Sequence, residues 1–325
     1  MIISRTPFRC SFFGGISDHP EWYLSNGGAV LSTTINKYCH VSARYLPPYF
    51  EHKHRIVWSQ IELIQKISQI QNPIVRETLQ YLKYSDDEGL SIHHDGDLPA
   101  RGGMGASSAF AVGLLNALYA LKGKDKSKMD LALEAIHVER DLVKSNCGCQ
   151  DQCACSFGGF NLIEFGRGNP KVKNIPLDNT KIIELQECLM LVFIGFPHDA
   201  SHVTDSYNFN KKTELEAIKQ MAFEGYKIIQ SGCVVEFGKL LNEAWQRKKR
   251  VSHEISTPYI NYTYEKARES GALGGKLLGA GGGGFLLLFV EPDKQPKVKK
   301  ALEGMLFVPF KFESEGSQIL VRNGT

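Results

Sequence analysis

The stretch PARGGMGASSA, residues 99–109, sets Gly102, Gly103 and Gly105 ahead of Ser107 and Ser108, where a run with helical spacing begins. Glycines let successive backbone N–H groups turn toward one point without Cβ interference. A helix starting near Ser107 would aim the positive end of its dipole at that point. The chemistry favoured is anion binding, phosphate above all. Met104 and Ala106 complete the loop, and the two serines offer oxygens to a phosphate or to Mg2+. The competing reading is a Gly-rich turn closed by a serine N-cap. No lysine follows, so this is not the GxxxxGK[ST] pattern.

Two carboxylates come next. Glu139 shares a helical stripe with Ala132, Ile136 and Val143, and a carboxylate on an apolar stripe needs a cation, a metal ion or a proton. Asp151 lies in NCGCQDQCACSFGGF, residues 146–160, midway among its four cysteines. It falls near the start of a short helix, where the dipole favours a carboxylate; a salt bridge for Glu139 and a plain N-cap for Asp151 remain alternatives. The four cysteines around Asp151 (Cys147, Cys149, Cys153, Cys155) are spaced C-x-C-x3-C-x-C. Structural zinc sites use well-separated C-x2–4-C pairs, so buried or half-buried thiols are expected, with Asp151 the residue of interest. A half-exposed thiol beside it would make the protein sensitive to oxidation. At the N-terminus, Arg9, Gly14, Gly15, Asp18 and His19 follow one another in TPFRCSFFGGISDH. Arg9 suits phosphate charge, and short polar groups after a Gly-Gly turn suit a polyol.

The elements that must position these groups are legible in outline. Residues 28–46 read as one or two strands, and residues 47–58 as a loop and a strand. Residues 61–84 read as helix with a break at Pro73. The glycine loop feeds a helix whose apolar residues Ala111, Leu114, Leu115, Leu118 and Leu121 recur at helical spacing, with Gly123 as its stop. Residues 127–145 read as a second helix. A new buried strand begins near 188, helices follow at 212–231 and 233–250, and β-like pieces lie near 285–290, 305–312 and 318–322. Helices and strands are mixed rather than alternating, which favours α+β over a doubly wound sheet.

The 325 residues suit two domains, and 42% hydrophobic residues suffice for an ordinary core. Lys and Arg number 38 against 35 Asp and Glu, with no long single-sign run, so a nucleic-acid partner is not expected. The opening residues do not form a signal peptide, and no apolar stretch reaches the ~18 residues of a membrane span. The expected setting is cytoplasmic, with reduced thiols and no membrane partner. The sequence carries no signal for an oligomeric state.

In chain order, Pro7-x-Arg9 with Gly14 and Asp18, Gly27-Gly28, PARGGMGASSA, Glu139, Asp151 and KLLGAGGGGF resemble the GHMP kinases (galactokinase, homoserine kinase, mevalonate kinase, phosphomevalonate kinase). The resemblance covers about residues 5–290. GGAVLSTTIN, ARGGMGASSAF, QDQCACSFGGFN and GALGGKLLGAGGGGFLLLF are similar to the D-glycero-D-manno-heptose 7-phosphate kinase group within that superfamily. The resemblance implies a two-domain α+β GHMP kinase fold: an N-terminal mixed α/β nucleotide-binding domain over 1–182 and a C-terminal ferredoxin-like α+β domain over 183–325. It implies ATP and Mg2+ as cofactors and a small-molecule sugar phosphate as partner, phosphorylated at its anomeric hydroxyl. A related sugar or sugar acid, or a silent sensor on the same fold, are the alternatives. The resemblance places the triphosphate on Gly102–Ser108 and Mg2+ on Ser107 and Glu139. Asp151 becomes base or orienter of the acceptor, and Arg9 a stabiliser of transferring charge. Gly15, Asp18, His19, Gly279, Gly281 and Gly282 fall on the substrate side. It departs at Ala106, which replaces a serine, and at His198–Asp199, where an arginine is expected. Lys248, Lys249 and Arg250 are substitute phosphate ligands, or simply a solvated helix end.

Overall fold

The structure is a computed structural model and describes residues 1–196 and 200–322. Two long strands dominate it. β1 (Ile2–Phe13) and β2 (Gly28–Tyr45) pair antiparallel along most of their length, with Arg9 opposite Thr34. Their register slips between Pro7 and Phe8 and again between Ser11 and Phe13. Proline cannot donate to a ladder, and bulges bend a strand, so the end of β1 is re-aimed toward the Gly14–Asp18 turn.

Around this pair stand β3 (His54–Val57), β4 (Ile61–Ile64), β5 (Leu90–Gly96), β6 (Phe160–Phe165) and β7 (Lys171–Ile175). A second sheet holds β8 (Leu189–Phe193), β9 (Gly274–Leu277), β10 (Phe285–Phe289) and β11 (Leu306–Val308) in the order β11-β8-β10-β9, antiparallel throughout. With helices between β8 and β9 and between β10 and β11, this is the expected ferredoxin-like arrangement. The last strands, β12 (Phe312–Glu313) and β13 (Gln318–Arg322), cross back and pair with β2 and β1. Residues 312–322 therefore join the first sheet although they follow the second in the chain.

The helices are α1 (Pro20–Asn26), α2 (Pro73–Tyr81), α3 (Ala106–Leu121), α4 (Lys128–Ile136), α5 (Gln150–Phe157), α6 (Thr180–Glu187), α7 (Ala200–Asp205), α8 (Lys212–Ser231), α9 (Val234–Val251), α10 (Pro258–Glu269) and α11 (Gln295–Ala301). α3 is apolar nearly all round, and eleven of its sixteen residues are accordingly buried. One apolar core runs from the first sheet into the second: Phe12 meets Phe160 and Phe237, ring centroids 5.3 and 5.2 Å apart.

Two expectations for local structure need correction. Residues 61–64 form a strand, not the start of a helix. Glu62 is buried and accepts hydrogen bonds from Trp58 Nε1 and the backbone N–H of Gln71, while β4 pairs with β3; the helix starts only at Pro73, capped by Asn72. The helix expected over 127–145 is α-helical to Ile136 and then widens into a π-helical turn, His137–Leu142. Such turns add a residue to the helical circuit and are frequent at functional sites.

Candidate active site

The glycine loop ends at Gly105, which adopts a left-handed conformation as the N-cap of α3. The N–H groups of Ala106, Ser107 and Ser108 therefore open the helix. The helix rides on the first sheet, so its start is held against β1. Arg9 N–H donates to Met104 O, and Arg9 Nη1 donates to Gly103 O at 2.6 Å. Gly103 and Gly279 meet backbone to backbone: a Cβ on Gly279 would lie 2.4 Å from Gly103 Cα, and one on Gly103 would lie 2.3 Å from Leu278 O. Both have positive φ, so glycine is required at each on conformation and on space.

Glu139 points out of the π-helical turn toward α3. It is buried and accepts from Ser107 Oγ at 2.5 Å, Ser108 Oγ at 2.6 Å and Gln152 Nε2 at 2.6 Å. Burial raises its pKa, against the opposing pull of those three donors. Asp151, one position into α5, receives a two-pronged ion pair from Arg9: Nε to Oδ1 and Nη2 to Oδ2, both 2.6 Å. Arg9 is buried; burial would lower its pKa, but the Asp151 charge and hydrogen bonds win and raise it.

Asp18 closes the far end. Its carboxylate accepts from Ile16 N–H at 3.0 Å and Gln150 N–H at 3.1 Å, tying the N-terminal turn to α5. His19 beside it is buried against Tyr207, ring centroids 5.6 Å apart; burial first, opposed by Asp18 and Glu21, lowers its pKa. A cleft of about 270 Å³ opens beside these groups. Arg9, Gly15, Asp18, His19, Gly103, Gly105, Ala106, Ser107, Asp151 and Gly279 reach its wall. Met104, Ser108 and Glu139 lie buried behind it. Gly102 packs on the Phe285 ring, while Gly281 and Gly282 pack on Ile255 and do not line it.

Several wall residues are not singled out by sequence reasoning. Lys276 opens KLLGAGGGGF after two glycines in a buried strand, and Arg101 lies inside PARGGMGASSA, but neither is marked there as a cleft residue; Ser11 and Tyr207 line the cleft as well. Of the basic trio near 250, Lys248 alone reaches the cleft. Lys249 lies over the Trp245 ring and donates to Asn261, and Arg250 is an exposed ion-pair partner of Glu214. His198 and Asp199 lie outside the described residues.

A glycine loop and helix start, a serine–glutamate pair and an Arg-held aspartate at the rim of one cleft are the parts of a phosphoryl-transfer site. The family described as GHMP kinases N terminal domain matches residues 72–159, and GHMP kinases C terminal matches residues 209–306. The chain belongs to the GHMP kinase family. It is thus a phosphotransferase with a hydroxyl acceptor, and GHMP kinases use ATP. The D-glycero-alpha-D-manno-heptose 7-phosphate kinase of Campylobacter jejuni is 28% identical over 97% of both chains. Among solved structures, a D-glycero-D-manno-heptose 1-phosphate kinase from Bacteroides thetaiotaomicron superposes with a TM-score of 0.81 at 23% identity, over 100% of both chains. A galactokinase from Lactococcus lactis, complexed with galactose, gives a TM-score of 0.72 at 17% identity, over 98% of this chain and 95% of that one. The fold of this GHMP kinase is therefore that of sugar kinases of the family.

The donors at the loop fit Mg2+. Ser107 Oγ and Glu139 Oε1 are hard oxygen donors already in contact beside the α3 helix start. Among the described residues no three His, Cys, Asp or Glu side chains gather as a metal cage, so such an ion would share its shell with phosphate oxygens. The cysteines are free thiols; Cys149, Cys153 and Cys155 are buried, and Cys147 reaches the cleft. Burial, then the charges of Glu139 and Asp151, raises the Cys147 pKa, which disfavours the reactive thiolate. Among the described residues no helix is long and apolar enough to cross a membrane.

Proposed function

We propose that this GHMP kinase transfers the γ-phosphoryl of ATP to the anomeric hydroxyl of D-glycero-D-manno-heptose 7-phosphate. The product is the 1,7-bisphosphate, on a route toward nucleotide-activated heptose. The observation that carries the reading is the Arg9–Asp151 pair, seated between the phosphate loop and the Asp18 turn. The heptose 7-phosphate kinase relative, similar along nearly its whole length, supports the choice of acceptor.

The residues divide the work. The loop Gly102–Ser108 and the start of α3 hold the triphosphate through backbone N–H groups. Ser107 and Glu139 would hold Mg2+, which would supply charge neutralisation at the phosphate oxygens. Arg9 fixes the Asp151 carboxylate by two hydrogen bonds, and its Nη1 ties that geometry to Gly103 of the loop. Asp151 orients the acceptor hydroxyl in line and takes its proton late, since phosphoryl transfer asks little covalent help of the protein. Asp18, His19 and Gly15 shape the sugar end, and Gly279 presses against the loop. Gly281 and Gly282 support that segment from behind rather than touching substrate.

A panel of sugars and sugar phosphates, read by coupled ATP consumption, tests the acceptor. Turnover of heptose 7-phosphate in preference to free hexoses is the expected result. Turnover of an unphosphorylated sugar alone would overturn the reading.

A further inference from the structure

We propose that Lys276 and Lys248, with Ser11, form an anion subsite in the acceptor half of the cleft that takes the phosphate ester of the sugar. This rests on the reading of the chain as a sugar-phosphate kinase and assigns where that phosphate sits.

Both lysines are buried and both line the cleft. Lys276, on β9, donates to Phe12 O at 2.9 Å. Lys248, on the apolar face of α9 beside Trp245, donates to Gly279 O and, at 3.5 Å, to Leu277 O. An ammonium carries three N–H donors, so Lys276 spends one and keeps two. Among the described residues neither lysine forms an ion pair, whereas Arg9 between them and the loop is already committed to Asp151. Burying an unpaired ammonium costs several kcal/mol or drives off its proton. Burial, with Arg9 and opposed by Asp18, brings the Lys248 pKa down to about 7; burial, Lys248 and Arg9 bring Lys276 well below its ordinary value, against Cys10 and Asp18. Asp18 is thus the carboxylate pulling on both.

Position says which anion. The carbonyl that Lys276 holds belongs to Phe12, next to Ser11 and just before the Gly14–Asp18 turn. Ser11 Oγ and Gln150 Oε1 are buried at this end without a hydrogen-bond partner. At the other end Glu139, Ser107 and Ser108 satisfy one another. The donor phosphates have the α3 start, so the two lysines and the free hydroxyl remain for the acceptor. A neutral sugar would leave both ammonium groups uncompensated; a phosphate monoester dianion matches them in charge and in its need for donors.

The test compares wild type, Lys276→Met and Lys248→Met, with Lys276→Gln in reserve should Lys276→Met not fold. Lys249→Met, outside the cleft, is the control. Each is assayed with heptose 7-phosphate and with unphosphorylated heptose, and each is melted with and without inorganic phosphate. The expected result is a rise of about ten- to hundred-fold in KM for heptose 7-phosphate in both lysine variants. KM for ATP and for unphosphorylated heptose should stay within about two-fold, and phosphate should raise the melting temperature of wild type and control only. An unchanged KM for heptose 7-phosphate overturns the subsite while leaving the kinase assignment standing. A fall in kcat alone, or a KM for ATP that rises in step, also overturns it, because the lysines would then serve the transferring phosphoryl. If wild type does not turn over heptose 7-phosphate, yet phosphate protects it and not the lysine variants, the acceptor reading fails and the subsite stands.

Discussion

The two ends of the cleft are built on opposite electrostatic plans. At the donor end the charged side chains are paired: Glu139 takes three hydrogen bonds, and Arg9 spends its guanidinium on Asp151 and Gly103, with Gln152 Oε1 the one buried atom of that network lacking a hydrogen-bond partner among the described residues. At the acceptor end Ser11 Oγ, His19 Nδ1 and Gln150 Oε1 are buried without hydrogen-bond partners, and two buried lysines hold only carbonyls. A satisfied network is rigid and keeps its shape between turnovers. Unpaired buried polar groups cost stability and are expected where a ligand completes them. On the proposed reading, the donor end is preorganised for a constant partner, and the acceptor end is left incomplete for a specific one.

The widest break in this contrast should come from the residue between the two ends. Asp151→Ala is expected to lower kcat by about 10²–10⁴-fold, measured by coupled ATP consumption; near-normal turnover would remove Asp151 from the mechanism. Glu139→Gln should lower activity by at least about 10-fold and shift the Mg2+ dependence to higher concentration. An unshifted Mg2+ titration would make Glu139 a purely structural hydrogen-bond acceptor. Gly103→Ala adds a Cβ at positive φ against Leu278 O and should cost about 1–3 kcal/mol of stability, read by denaturant melts.

A subtler effect is a pH profile. Lys248 has a folded pKa of about 7, below its unfolded value. Between those two values the unfolded chain binds the extra proton, so this group's contribution to stability grows as pH rises and is lost as pH falls to about 7. Buried thiols with raised pKa act in the opposite sense at high pH. The quantity to measure is therefore the difference between wild type and Lys248→Met: the variant's advantage in melting temperature should shrink from pH 7 toward pH 10. A constant difference would mean that Lys248 stays charged in the empty cleft. The smallest effect is expected at Cys147. Its thiol is held protonated, so mild peroxide should leave activity nearly unchanged in wild type and in Cys147→Ser alike; inactivation reversed by reductant only in wild type would restore the oxidation-sensitive reading.

Legibility in the sequence followed the range of the interactions. The glycine loop and the start of α3 were readable because left-handed glycines and an apolar helical stripe are local properties. The segment at 61–64 was misread because Ile61, Leu63 and Ile64 suit a helical stripe as well as a strand. Pairing with β3 and the burial of Glu62 decided the matter. Lys248 reads as part of a solvated basic run with Lys249 and Arg250, yet it lies on the helical stripe of Leu241, Ala244, Trp245 and Val251 that α9 buries, and the other two do not. Lys276 opens the KLLGAGGGGF motif, but as one polar residue among glycines and leucines it carries no local sign of reaching the cleft.

Residue type and spacing alone determined that the chain would fold as a mixed α/β body around a phosphate loop, with one arginine and two carboxylates available for chemistry. Tertiary structure alone decided that Arg9 and Asp151 clasp each other from opposite halves of the first domain. It also decided that Glu139 turns onto Ser107 from a π-helical turn and that two lysines from the second sheet's layer are carried, unpaired, to the acceptor end. Backbone conformation and helix dipoles act over a few residues and leave a mark in the local sequence. Charge compensation acts through space, between groups whose separation along the chain carries no information about their separation in the fold.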